Sequence, residues 1–325
     1  MPTRRTELLL VCSLFTSLLA CTDEPDATAL RAEALGHLAP LPTVDPDLPA
    51  PRVELGRALY FEKALSRSGT LSCNGCHDLA RHGVDGEATS PGFASERGGR
   101  NSPTTFNAFL HVAQFWDGRA ATVEEQATGP ILNPVEMGMP DAATVEATLA
   151  ASAKYPGLFA AAFPDDAAPL TLANVGRAIG AFERTLLTPA PIDDFLRGDD
   201  EALDAAELRG LGLFLELGCD GCHDGAALGG GQFRPLLGRM TPDAGRFAVT
   251  GDERDRGVFK VPGLRNVAET GPYLHDGSIA TLAEAVDLMV EHHAERRPLE
   301  ADARADLLAF LAALSGPVDE FAAAQ

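Results

Sequence analysis

Two short runs carry the clearest chemistry in the chain, Cys73-Asn74-Gly75-Cys76-His77 and Cys219-Asp220-Gly221-Cys222-His223. Two thiols at this spacing can be bridged by one planar group, and the histidine that follows is then left beneath that group with a ring nitrogen for a metal. This is the geometry of covalent c-type haem attachment, in which the thiols take the two vinyl groups and the imidazole becomes the proximal iron ligand. A dithiol redox pair, half of a zinc site or a disulfide needs only the cysteines. Two complete motifs with histidine in the same place therefore favour two haems. The other axial position of each iron decides its use: a strong sixth ligand makes an electron-transfer centre, an open position a reactive one. Met137, Met139, Met240 and Met289 are the thioethers available beyond the first residues of the chain, although most methionines simply fill cores.

The haem motifs need elements to hold them. Glu54 to Phe61 before the first motif echoes Glu207 to Phe214 before the second. Val53, Leu55, Leu59 and Tyr60, like Leu208, Leu211, Leu213 and Leu217, recur at the three- and four-residue spacing of a helix with one apolar face. After the motifs, Leu172 to Leu187 and Leu299 to Leu314 also read as helices, with Phe182 and Phe310 near their ends and Pro189 and Pro317 to stop them. Helix, haem motif, connecting segment and closing helix is the plan of a cytochrome c domain, met here twice. Strand signals are weak between the Gly and Pro of residues 225–263. The expected fold is mainly α: two cytochrome c-like domains, 52–190 and 191–325, each with one covalently bound haem and joined by long ordered loops, with the boundary at Pro189-Ala190-Pro191.

Length agrees with this, since 325 residues suit two domains rather than one small carrier. The formal net charge of −21 at pH 7 excludes nucleic acid as a partner and suits a small basic protein, or simply keeps an exported protein soluble. Arg4 and Arg5 precede an apolar run from Leu8 to Ala20, too short for a dedicated membrane span, so residues 1–20 read as a signal peptide. Its end, Leu18-Leu19-Ala20-Cys21, resembles the lipobox of bacterial lipoproteins, which places the product in the periplasm, anchored to a membrane through a lipidated Cys21. Cleavage near Ala20 to a soluble periplasmic product is the alternative. Residues 21–51, rich in Pro, Asp and Ala, are expected to form a tether.

Over nearly the whole span from Val53 to Leu314 the chain resembles the bacterial di-haem cytochrome c peroxidases. The resemblance rests on the first haem motif, Gly83-Val84-Asp85-Gly86, Arg100-Asn101-Ser102-Pro103-Thr104, Gln114-Phe115-Trp116-Asp117-Gly118-Arg119-Ala120, Gln126, Gly129-Pro130 and Asn133-Pro134-Val135-Glu136-Met137-Gly138. It continues in Phe259-Lys260-Val261-Pro262, Leu264-Arg265-Asn266-Val267 and Gly271-Pro272-Tyr273-Leu274-His275-Asp276-Gly277. It implies that the haem on Cys73 and Cys76 over His77 is the low-potential peroxidatic centre, with Glu136 as distal acid and Gln126 as its amide partner. A carboxylate there can take a proton from one peroxide oxygen and return it to the departing one, and a fixed amide can orient the peroxide. The haem on Cys219 and Cys222 over His223 would be the high-potential centre that accepts electrons, with Met289 as its sixth ligand. A thioether raises the potential. Related di-haem enzymes that mature tryptophan tryptophylquinone carry tyrosine as that ligand, whereas Tyr60, Tyr155 and Tyr273 lie elsewhere in the pattern. Trp116 matches the residue that couples the two haems. One calcium ion is implied at the junction, held by the Asn101 side chain and the Thr270 and Pro272 carbonyls, oxygen ligands for a hard cation.

One departure bears on mechanism. Many relatives carry, sixteen residues after the first haem histidine, a histidine that caps the peroxidatic iron until the enzyme is reduced, and here that position is Phe93. The first haem is then expected to be open without pre-reduction, unless His82 takes over the capping. His111, His292 and His293 are assigned to surface or structural roles. The resemblance implies an enzyme, a cytochrome-c peroxidase with hydrogen peroxide as acceptor and a small cytochrome c or copper protein as donor, and allows a homodimer. The rival readings are a non-enzymatic di-haem electron carrier and a di-haem oxidase acting on another substrate.

Overall fold

The computed structural model describes residues 25–236, 241–293 and 298–322. The expected signal peptide 1–20, Cys21 with its lipid anchor, and Met240 lie outside the described residues. The helices run in the order α1 (Ala27–Ala34), α2 (Ala50–Tyr60), α3 (Cys73–Cys76), α4 (Val123–Leu132), α5 (Ala142–Ala150), α6 (Tyr155–Ala162), α7 (Leu172–Glu183), α8 (Pro191–Arg197), α9 (Ala205–Glu216), α10 (Phe247–Thr250), α11 (Leu282–His293), α12 (Ala301–Ala312) and α13 (Asp319–Ala322). Two three-residue strands, β1 (Phe233–Pro235) and β2 (Val258–Lys260), pair antiparallel with Phe233 opposite Lys260. The mainly helical expectation holds. No helix among the described residues is long and apolar enough to cross a membrane.

The same helix crossing is built twice. In the first half α2 meets α7 at Gly56, where a Cβ would lie 1.8 Å from the Ala178 carbonyl oxygen, so only glycine allows the approach. One turn on, Tyr60 meets Phe182 edge to face at 5.4 Å between ring centroids. In the second half α9 meets α12 at Gly210, where a Cβ would lie 2.0 Å from the Asp306 carbonyl oxygen, and Phe214 meets Phe310 at 5.3 Å. The crossing thus equates Tyr60 with Phe214, one residue away from the side-by-side reading of the two sequence segments. Around these crossings lie two hydrophobic clusters, one from Leu55, Leu59, Ile131, Phe159 and Ile179, the other from Ile192, Phe195, Leu211, Val286 and Leu307.

The chain ends cross over. Residues 27–41, expected within a tether, are instead ordered, because Leu30, Ala34 and Leu38 of this segment are buried in the second cluster. Asp26 caps α1 by accepting from the Thr28 and Ala29 amides. At the other end Val318 and Phe321 pack into the first cluster, with Phe321 5.1 Å from Phe106. Each half therefore holds a segment from the far end of the chain.

A polar network ties the halves at their junction. Asp193 is 0% exposed and Arg265 3%; their carboxylate and guanidinium meet in a two-pronged pair at 2.8 and 2.9 Å. The remaining capacity of Asp193 is taken by the Leu41 amide at 2.6 Å and the Ala190 amide at 2.8 Å, so the N-terminal segment, the start of α8 and the 264–266 loop share one carboxylate. Thr188 Oγ accepts from the side-chain amides of both Asn107 and Asn266, and Asn266 accepts in turn from the Gly316 amide. Removing one member of a buried, hydrogen-bonded ion pair strands the other charge and costs about 3–5 kcal/mol. Asp193→Ala is expected to lower unfolding stability by that amount in denaturant titration, well beyond the loss from Asp252→Ala at an exposed pair.

Candidate functional site

Between α4, α7 and the loops 71–77, 90–105 and 133–137 lies a cavity of about 610 Å³ lined by Cys73, Cys76, His77, Gln126, Pro130 and Glu136. That is the size range of a pocket for a cofactor or drug-sized ligand, roughly 300–1,000 Å³. None of the four described cysteines is in a disulfide. Burial pushes the Cys73 thiol up to about 12 and the Cys219 thiol up to about 11, so neither is a ready thiolate as it stands. Burial lowers the His77 pKa against the opposing pull of the Pro103 and Gly83 carbonyls, which keeps the imidazole neutral and able to ligate. His223 contacts the Leu228 carbonyl through Nδ1 at 3.3 Å, which fixes the orientation of a ring that could ligate iron. Both motifs thus fit a c-type haem.

Glu136 is held on the cavity wall by local geometry. Asn133 caps α4, its side-chain oxygen accepts from the Val135 amide, and its nitrogen donates to Glu136 Oε1 at 2.9 Å. Burial raises the Glu136 pKa, opposed by the Arg119 charge and the Asn133 hydrogen bond. Arg119 lines the same cavity, with its guanidinium 3.4 Å from the Phe115 ring centroid and paired with Asp117 at 3.1 Å. Gln126 projects from α4 on the face that also presents Ala127 and Pro130.

Glu183, which the sequence does not single out, also lines this cavity at 4% exposure. Burial, reinforced by Glu124, pushes its pKa up to about 8, so it holds its proton at neutral pH. Its signal was present but faint: a carboxylate four residues after Ile179, in line with the buried apolar face of its helix.

Trp116 lines both this cavity and a smaller one on the side of the second half. Its indole donates to the Asn101 carbonyl at 3.0 Å and its own carbonyl accepts from the Lys260 amide at 2.8 Å, so it spans the junction. The Asn101 amide donates to the His275 carbonyl at 2.8 Å, which sets Asn101 beside the loop of Thr270 and Pro272. Its side-chain nitrogen donates to the Glu87 carbonyl at 3.1 Å. Arg100 joins the halves alongside, bridging Asp243 at 2.7 and 2.8 Å and Asp117 at 2.6 Å.

Neither residue discussed as a distal cap stands over the first site. Phe93 packs against Gly138, where a Cβ would lie 2.2 Å from its ring, and under the Arg67 guanidinium. His82 turns the other way, with Nε2 3.3 Å from the Gly316 carbonyl.

A further repeat relates the two sites. Asn107, Phe115 and Gly118 have φ of 61°, 65° and 69°, and Asn266, Leu274 and Gly277 have 61°, 69° and 64° at one constant offset along the chain. Bridges Gln114–Ala120 and Tyr273–Ile279 close the two turns at the same offset. Thr122 then starts α4 as Thr281 starts α11, with Glu125 and Glu284 at matching positions. Carried forward, the match sets Trp116 against His275 and Pro130 against Met289. Pro130 lines the first cavity, and Met289 is partly buried on α11.

A model of the di-haem cytochrome c peroxidase family matches residues 50–201. Cytochrome c551 peroxidase of Pseudomonas aeruginosa is 42% identical, over 95% of this chain and 92% of its own length. The methylamine utilization protein MauG of Methylorubrum extorquens is 34% identical, over 93% and 89%. Among solved structures, a MauG-like protein associated with microbial copper homeostasis superimposes with a TM-score of 0.73 at 32% identity, over 85% of this chain and 93% of that one. At these identities and coverages, and with both haem motifs on matching crossings, the chain belongs to the di-haem cytochrome c peroxidase family.

Proposed function

We propose that this protein is a cytochrome-c peroxidase: hydrogen peroxide, two electrons and two protons give two molecules of water, with Glu136 and Gln126 acting above His77. The observation that carries the reading is that these two side chains line the same cavity as Cys73, Cys76 and His77. Haem bound there supplies the iron that receives peroxide and the electrons that cleave its O–O bond. Glu136 takes a proton from one peroxide oxygen and delivers it to the other, so that water rather than hydroxide leaves. Asn133 holds the carboxyl in place, and Gln126 orients the peroxide by hydrogen bonding. Pro130 offers no iron ligand where its counterpart in the second half is Met289, which supports an open first site and a Met-ligated, high-potential second site. His223 would hold the haem that accepts electrons and His77 the one that reduces peroxide, with Trp116 placed between the two sites to couple them. An electron carrier would need the first site capped, and the contacts of Phe93 and His82 run against that.

The finer assignments follow this reading. Residues 52–190 and 191–325 form the peroxidatic and electron-accepting domains, each completed by a segment from the other end of the chain. Asn101 Oδ1 with the Thr270 and Pro272 carbonyls makes an oxygen-only set suited to one calcium ion. The donor is a small periplasmic cytochrome c or copper protein, and the net charge of −21 favours a basic docking face. A lipidated Cys21 would keep the enzyme at the membrane, and a homodimer is consistent with the resemblance.

With reduced small cytochrome c as donor, the oxidised holoprotein should turn over peroxide without prior reduction; absence of turnover before and after reduction would reject the peroxidase reading. Glu136→Gln should lower kcat/KM for peroxide roughly 100- to 10,000-fold, the range for a general acid–base group, while both haems still load. Because Glu136 works as the carboxylate and burial raises its pKa, wild-type activity should fall as pH drops through a value above the ordinary carboxylate range. Met289→Ala should lower the potential of the second haem and leave the first unmoved, as read by spectroelectrochemical titration.

A further inference from the structure

Beside Trp116, on the side of the second half, lies a cavity of about 50 Å³ lined by His111, Phe115, Trp116, Lys260, Gly263 and Arg265. It is too small for a haem ring and large enough for one small polar group, since a water molecule's share of liquid volume is about 30 Å³. Lys260 is 7% exposed, on a strand whose three residues are all buried. Among the described residues its ammonium meets only a neutral partner, His111 Nδ1, at 2.8 Å. The His111 ring is wedged between Gly230 and Gly263, and burial and the neighbouring ammonium hold its pKa well below the usual value. The cavity's other cation, Arg265, is committed to Asp193, and no carboxylate lines the space. Burial alone pulls Lys260 down to about 8, with no charge offsetting it. A buried ammonium without a counter-anion is costly, and such groups are ordinarily paired.

We infer that Lys260, positioned by His111, is the binding residue for a haem propionate carboxylate at the junction of the two halves beside Trp116. The inference rests on the two-haem reading above and goes beyond it by assigning the buried cation. A carboxylate would satisfy the ammonium's remaining donors and return it to full charge. The fixed positive charge would then favour the reduced state of the haem whose carboxylate it holds, next to the indole that joins the two sites. Lys260 acts here as a positioning and tuning residue, not a catalytic one.

The test compares oxidised and reduced holoproteins of wild type, Lys260→Met and Lys260→Arg, with haem content checked first. Lys260→Met should lower the midpoint potential of at least one haem and shift its propionate-bending Raman mode. Lys260→Arg, which keeps the charge, should retain the potential and shift only the Raman mode. Unchanged potentials and Raman modes in Lys260→Met would overturn the inference. Should that variant fail to load haem, an unshifted Raman mode in Lys260→Arg overturns it equally. A free anion in the same cavity would instead make the wild-type potential depend on chloride or formate concentration, which also counts against a haem carboxylate. No peroxide enters these measurements, so a failure of peroxide turnover leaves this result standing, and the reverse.

Discussion

The buried polar network at the junction, from the Asp193–Arg265 pair to Thr188 with Asn107 and Asn266, is the constraint on which the two-centred architecture depends. A single carboxylate, fully removed from water, receives the guanidinium of the second haem's loop, the Leu41 amide of the N-terminal segment and the Ala190 amide at the boundary between the halves. Such a pair adds little net stability over an apolar substitute, but breaking it is expensive. Its consequence is therefore geometric: it fixes the N-terminal segment, the start of α8 and the 264–266 loop to one another, and the Asn107, Thr188 and Asn266 hydrogen bonds beside it join that corner of the second half to the first. Electron passage between the two proposed haem sites would need that fixity. The exchange of chain ends, with Leu30 and Leu38 in the second cluster and Phe321 in the first, strengthens the same junction.

On this rigid frame, one repeated plan yields two unlike sites. The Gly56 and Gly210 crossings and the matched turns at 107–120 and 266–279 give both halves the same scaffold. The differences fall at single positions. Pro130 in the first half corresponds to Met289 in the second, and Trp116 to His275. The first half adds the Asn133–Glu136 loop with its buried carboxyl. Function diverges through a few side chains while the backbone that holds them is conserved within the molecule.

What could be read from the chain alone follows from how local each signal is. The haem motifs were legible because thioether attachment needs two cysteines and a histidine in contiguous spacing. The helices of both crossings were legible from apolar period, although α7 and α12 stop at Glu183 and Ala312, before the apolar residues Leu186, Leu187 and Leu314 that extend the pattern into buried turns. The ordered segment 27–41 was hidden by the Pro, Asp and Ala content of the longer stretch 21–51 around it; its leucines at 30, 38 and 41 were the overlooked signal. The second repeat left only scattered identities in the sequence, Asn107 with Asn266, Asp117-Gly118 with Asp276-Gly277 and Thr122 with Thr281, and its clearest marks are the shared positive φ angles, which side-chain chemistry does not announce. Gln126, Glu136 and Met289 were named through resemblance, since as isolated residues they read as ordinary surface or core. Glu183 and Lys260 escaped notice because burial, not residue type, makes them unusual.

The central claim is that the first haem, over His77, is open to peroxide in the fully oxidised protein. The most direct measurement is the visible and EPR spectrum of the oxidised holoprotein before and after one equivalent of peroxide, with no reductant present. The account predicts a high-spin ferric signal that peroxide consumes, alongside a low-spin second haem. Two low-spin haems indifferent to peroxide would contradict it and return a ligand to the position that Phe93 and His82 leave clear.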